Sequence, residues 1–279
     1  MRTSNYALFS LAACAAVLMS CTSAAERNSA RAKDEAAFLV RYVEGEIQAI
    51  ESGLPAGAKM IAETTATLPP PFDPAIIRTQ IVRARQGTPP LKSASVTFFA
   101  FADHEGTILR NDREEDAMAG QKLFALFPTL PKDSDGVRTA LGAFPPDPLL
   151  PEGDRVFLAS THAGSGTGGG YFMTGWSFRW FAAHLTETVK RDLTNKMPKE
   201  APTRLPILYV GVFDRSGVYF AKSVPATNVR AAETESLFER TQAGAVSGRL
   251  QVTDRDFSFA AMRIPKMGEA GLVVLHSGV

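Results

Sequence analysis

Phe38, Leu39, Tyr42, Val43, Ile47 and Ile50 recur at spacings of one, three and four, which predicts an amphipathic helix beginning near residue 35. The polar stretch before it, 22–34, has no aliphatic periodicity and reads as a short tether. Gly53-Leu54-Pro55 should break or kink the helix, and a second piece through Met60 and Ile61 ends before the triple proline at 69–71. Asp73-Pro74 has the form of an N-cap and a first-turn proline, opening a helix through Ile76, Ile77 and Ile81 that Gly87-Thr88-Pro89-Pro90 closes. A further stripe, Phe178, Phe181, Leu185, Val189 and Leu193, follows Ser177 as its cap and stops before Pro198 and Pro202.

Strand signals occur twice in the same arrangement. Phe98 to Leu109 and Tyr209 to Phe220, 111 residues apart, both read strand, Asp-x-x-Gly turn, strand. The Asp side chain caps such a turn and the Gly accepts the positive φ, so Asp103 and Asp214 are turn residues before they are catalytic acids. Each hairpin is followed by a helical or irregular stretch and then a strand pair, 155–162 with 171–176 and 256–264 with 272–277, now at an offset of 101. The chain therefore predicts two copies of one α+β unit after a long N-terminal helix.

Composition narrows the class. The 279 residues are 45% hydrophobic and 21% charged, which suits about two globular domains. Thirty basic against 29 acidic residues leave +1, a poor match to nucleic acid. Arg2 and the uncharged run Tyr6 to Met19 have the form of a signal peptide, too short to span a bilayer as a helix. The run ends in Leu18-Met19-Ser20-Cys21, which resembles the bacterial lipobox and makes Cys21 the lipidation site; Leu11-Ala12-Ala13-Cys14 is the competing match. Acyl chains such as palmitate on Cys21 would anchor a water-soluble fold to the membrane. Thr22 after the cysteine lacks the aspartate of inner-membrane retention in the lipoprotein sorting pattern, which favours the outer membrane, facing the periplasm. From Thr22 onward there is no cysteine, hence neither disulfide nor catalytic thiol.

The order of elements resembles an extracytoplasmic tandem Cache sensor: a long helix, a first PAS-like module, a linking helix and a smaller second module. The expected division is signal peptide 1–20, lipidated Cys and tether 21–34, helical region 35–92, first, membrane-distal module 93–176, linking helix 177–200 and second module 201–279. The resemblance implies antiparallel-sheet modules, a small ligand bound mainly in the membrane-distal one, and sensing rather than turnover. The aromatic, arginine and Trp-x-x-Pro-Tyr-type signature of the amino-acid-binding subfamily is not found. No output domain precedes Val279, so the expected partners are a small molecule, the membrane through the lipid, and a separate protein that receives the signal.

Candidate chemistry is sparse. Gly164 to Gly169 matches G-x-G-x-x-G, but a strand follows instead of a helix, so the run reads as a hairpin loop. His104, His162, His184 and His276 have no metal-ligand spacing, and no nucleophile elbow is present; neither a cofactor nor an enzyme activity is expected. Phe99 and Phe101 alternate with Ala100 and Ala102, giving one aromatic and one small-residue face, the aromatics reading as core. Arg110 at the end of the paired strand, His162 ending a strand opposite Tyr171, and Tyr171 with Trp176 are the candidate ligand contacts, a cation and aromatics suited to a carboxylate or amine. The alternative is a structural or assembly lipoprotein whose modules are interaction surfaces, their cavity filled by Phe99, Phe101 and Phe124.

Overall fold

The computed structural model describes residues 23–68, 72–114, 116–132, 135–145, 153–164, 169–196 and 206–278. The signal peptide, Cys14, Cys21 and residues 165–168 of the glycine-rich run lie outside the described residues.

The first helix, α1, spans Ala24–Thr65 and corrects two expectations. It starts where a tether was expected, because Ser23 and Glu26 form a reciprocal capping box: the Ser23 hydroxyl accepts from the Glu26 N–H at 3.2 Å and the Glu26 carboxylate accepts from the Ser23 N–H at 2.7 Å. It also continues through Gly53 and Pro55. A helix-interior proline costs about 3 kcal/mol. That cost is met by burial along one entire side, where Leu39, Val43, Ile47, Ile50, Leu54 and Ile61 are all fully buried. The glycines serve close approach: a Cβ at Gly53 would lie 2.8 Å from Leu91, and one at Gly57 2.7 Å from the Phe172 ring.

Helix α2, Pro74–Gly87, is capped by Asp73, whose side chain accepts from the Ala75 N–H at 2.8 Å; α3 is the short Pro89–Ser93. The first sheet contains β1 (Phe98–Asp103), β2 (Ile108–Asn111), β3 (Val137–Phe144), β4 (Asp154–Ala163) and β5 (Gly170–Ser177), with α4 (Leu123–Leu126) between β2 and β3. Helix α5, Phe178–Lys196, leads to β6 (Ile207–Asp214), β7 (Gly217–Phe220), α6 (Ala226–Glu233), α7 (Leu237–Arg240), β8 (Val246–Val252), β9 (Arg255–Arg263) and β10 (Gly271–Ser277).

Both sheets are antiparallel and five-stranded, in the orders β2-β1-β5-β4-β3 and β7-β6-β10-β9-β8. The second order is the first with every strand advanced by five, so the chain contains one unit twice. The change of offset from 111 to 101 residues comes mainly from the connection after the third strand of each unit: 145–153 in the first, a two-residue turn at 253–254 in the second.

The described residues form three apolar cores. The largest runs under both modules, where α1 and α5 pack on one face of each sheet: Phe99, Phe101, Phe157, Phe172 and Trp176 from the first, Leu208, Val210, Val212, Leu272 and Val274 from the second. The opposite, inner face of each sheet has its own core. In the first module Phe98, Val156, Leu158 and Met173 pack under Met118, Leu123, Phe127 and Leu130; in the second, Phe213, Phe257, Phe259 and Val273 pack under Leu237 and Phe238. No helix among the described residues is long and apolar enough to cross a membrane.

Candidate functional site

Strand periodicity decides which predicted residues can meet. On β5 the odd residues Tyr171 and Met173 face the inner core, while Phe172 and Trp176 face the helices. Register pairs Tyr171 with His162 of β4 and with Ala102 of β1. The same inner face carries Ser160, opposite Met173 on one side and Arg138 of β3 on the other. His162, Tyr171, Ser160 and Arg138 thus share one end of the inner face, and Lys132 reaches it from the segment after α4.

Tyr171 is 7% exposed and anchors this end. Its hydroxyl donates to the Lys132 carbonyl at 2.8 Å, and its ring meets His162 edge-on at 5.3 Å and Phe124 at 5.2 Å. The Lys132 ammonium lies 5.1 Å above the Phe124 ring. Ser160 is buried, and its Oγ has no hydrogen-bond partner among the described residues. A buried hydroxyl left unpaired costs roughly 1–3 kcal/mol, which makes Ser160 the polar group of the inner face best placed to bond a small guest or a water. The crevice it borders has a volume of only about 10 Å³, room for about one water. The rest of the inner face is filled by Phe124, Phe127, Leu123 and Met118.

Arg110 and Trp176 are elsewhere. A register shift between Phe101 and Ala102 sets Arg110 opposite Phe101, on the helix side of the sheet. There its guanidinium donates to the Arg113 and Glu114 carbonyls at 3.2 and 2.9 Å and lies 3.5 Å from Asp116. It borders an open surface groove of about 690 Å³ along α2, with Asp73, Arg78 and Val82. Trp176 is fully buried, stacked between Phe157 at 4.9 Å and Phe181 at 4.5 Å, its indole N–H donating to the Ser95 carbonyl. Phe99 and Phe101 also pack on the helix side.

Asp103 does what its turn requires, accepting from the Thr107 N–H at 2.7 Å while Gly106 holds φ at +79°. Asp214 accepts from the Ser216 N–H at 2.8 Å, and its other oxygen pairs with Arg155 of the first module, 2.7 Å from Nε and 2.6 Å from Nη2. Next to Arg155, Asp154 accepts from the Ser177 hydroxyl at 2.5 Å and the Arg179 N–H at 3.3 Å, joining β4 to the start of α5. Burial pushes the Asp154 carboxyl above its ordinary value; burial, then the nearby Asp214 carboxylate, pushes the Tyr219 phenol upward. This polar junction between modules has no local motif in the sequence beyond the second Asp-x-x-Gly. Among the described residues no three His, Cys, Asp or Glu side chains gather as a metal site.

No family model matches the chain, and no curated protein matches it in sequence. Among solved structures it is similar to a domain of a protein assigned to the sensory box/GGDEF family from Vibrio parahaemolyticus, at 10% identity over 92% of this chain and 98% of that one, with a TM-score of 0.57. It is also similar to the extracellular domain of a protein assigned as a histidine kinase, at 12% identity over 91% and 92% of the two chains, TM-score 0.57. An extracellular ligand binding receptor from Desulfohalobium retbaense matches at 10% identity and TM-score 0.51, over 89% of this chain and 40% of the receptor. With its doubled sheet and shared helix, the chain has the tandem Cache-like fold of sensor domains.

Proposed function

We propose that the chain is a periplasmic small-molecule-sensing domain, anchored to the outer membrane by lipid on Cys21 and signalling to a separate protein through α1. The export segment and lipobox support the anchor, and the fold shared with a sensory box protein's domain, a histidine kinase's extracellular domain and an extracellular ligand binding receptor supports sensing. The observation that carries the reading is the unpaired Ser160 hydroxyl, buried beside the cationic or protonatable side chains of Lys132, Arg138 and His162. A buried hydroxyl with two cations, Lys132 and Arg138, and the His162 imidazole lining the same crevice suits a small carboxylate.

Room for such a ligand requires the segment after α4 to lift, which breaks the Tyr171 hydroxyl bond to the Lys132 carbonyl and withdraws Leu130 from the inner core. A ligand favouring the lifted state shifts the population toward it. The change reaches α1 because Phe172, the neighbour of Tyr171 on β5, packs against Gly57 on the other face. The test is a thermal-shift screen of the chain from residue 23 onward against carboxylates, amino acids, amines and purines. A ligand at a hundredfold excess over its Kd adds about 2.7 kcal/mol of stability. A carboxylate-bearing compound is expected to raise the midpoint; no shift with any class would overturn the proposal.

The second reading, a structural or assembly lipoprotein with modules as protein-interaction surfaces, is favoured by the filling of the inner face by Phe124, Phe127 and Leu123. It predicts that no small molecule shifts the midpoint.

A further inference from the structure

We infer that the cleft between the two modules is a second ligand site, distinct from the Ser160 crevice, and that it takes a small zwitterion. Its volume is about 320 Å³, at the lower end of the range of small-molecule pockets, roughly 300–1,000 Å³. Its walls come from both units: Arg155 of β4 faces Asp214 and Arg215 of the β6–β7 turn and Glu269 of the β9–β10 loop, with Phe157 and Met267 as apolar lining.

Charge sets the ligand class. Two cations and two carboxylates line the cleft, so a dicarboxylate would meet Asp214 and Glu269, and a diamine would meet Arg155 and Arg215. A molecule with one carboxylate, one ammonium and a short aliphatic spacer can place each charge beside its opposite. The four charged groups are unevenly committed. The Asp214 side chain is 2% exposed and bound to Arg155, whose own side chain is 25% exposed, so the cationic partner of the pair is the one open to the cleft. Arg215 lies over the Phe238 ring at 5.4 Å. The Glu269 loop is held by its backbone, the Glu269 carbonyl accepting from Arg263 at 3.2 Å.

A guest here touches both modules at once and stabilises the relative placement that Arg155 and Asp214 already bridge. The inference does not depend on the crevice, since no charged residue is common to the two sites.

The test is isothermal titration calorimetry on the chain from residue 23 onward, with glycine, β-alanine and γ-aminobutyrate as probes and succinate and putrescine as single-sign controls. At least one zwitterion is expected to bind, and Arg215→Gln and Glu269→Gln should each weaken it about tenfold. The same titrations on a Ser160→Ala background, which removes the crevice hydroxyl, separate this site from the crevice: the dependence on Arg215 and Glu269 is expected to persist there. Circular dichroism melting is expected to leave Glu269→Gln at the parent's midpoint and Arg215→Gln at most slightly below it, since that variant gives up the contact over the Phe238 ring. The inference is overturned if no zwitterion binds, if both cleft variants bind as the parent does, if the dependence on Arg215 and Glu269 disappears on the Ser160→Ala background, or if a control's affinity falls in the cleft variants as the zwitterions' does.

Discussion

His276 of the last strand and Glu35 of the first helix meet across 241 residues of sequence, Nδ1 lying 3.0 Å from both carboxylate oxygens. Both are buried, at 0% and 6% exposure, and the His276 Nε2 has no partner among the described residues. This contact ties the second module to the N-terminal half of α1, the part of the helix nearest the proposed anchor. Removing one member leaves the other buried and unpaired, which costs at least roughly 1–3 kcal/mol, while replacing both by apolar groups can be nearly neutral. Urea unfolding should therefore show Glu35→Leu strongly destabilised and the Glu35→Leu, His276→Leu double variant substantially recovered. Additive losses would mean the two groups do not interact.

Two glycines of α1 should respond oppositely to alanine. Gly45 is exposed, and a methyl there would meet nothing within 4 Å, so Gly45→Ala gains helix propensity and stabilises by about 0.5–1 kcal/mol. At Gly57 the methyl would lie 2.7 Å from Phe172, and overpacking of about 1–3 kcal/mol outweighs that gain. The signs of the two midpoint shifts in denaturant decide the matter.

His184 gives a pH dependence. Its Nε2 lies 2.9 Å from the Tyr42 hydroxyl and its ring stacks on Trp180 at 5.4 Å. Burial holds its pKa below the ordinary 6.5, with Glu46 opposing and Arg191 acting in the same direction as burial. The unfolded chain then binds the proton more tightly than the folded one. The resulting stability is intact above the unfolded value, declines as pH falls below it and is fully lost below the depressed folded value. His184→Gln should flatten the slope of unfolding free energy against pH in that window; an unchanged slope would contradict the cause given.

The anchor has its own check. Radiolabelled palmitate should enter the full-length protein in bacterial cells and be lost with Cys21→Ser. Equal labelling of that variant, or label lost only with Cys14→Ser, would move or remove the anchor.

The doubled unit was legible because the Asp-x-x-Gly hairpins and the buried strand pairs are strongly apolar and similarly spaced. The edge strands β3 and β8 were not. β3, with Arg138 and Thr139 exposed, forms neither an apolar run nor a clean alternation, and the alternation of β8, Arg249 and Gln251 out with Leu250 and Val252 in, is short and follows Gly248. The start of α1 was readable from Ser23 and Glu26, a capping-box spacing hidden by the polar residues between Ser23 and Asp34, several of which face solvent. Within the site, Tyr171 and Trp176 are five apart on one strand, which parity alone places on opposite faces. Arg110 needed the bulge opposite Phe101 to be known, a feature without a glycine or other marker in the sequence. Ser160, Arg138 and Lys132 come together only through register across three strands and the fold-back after α4, which local pattern does not encode.

The most direct measurement is the affinity of the best carboxylate from the screen for the parent chain, for Ser160→Ala and for Arg138→Ala. Binding that weakens about tenfold or more in each variant, without loss of melting temperature, is the predicted result. Unchanged affinity in both would contradict a sensor that reads its ligand at the inner face of the first module.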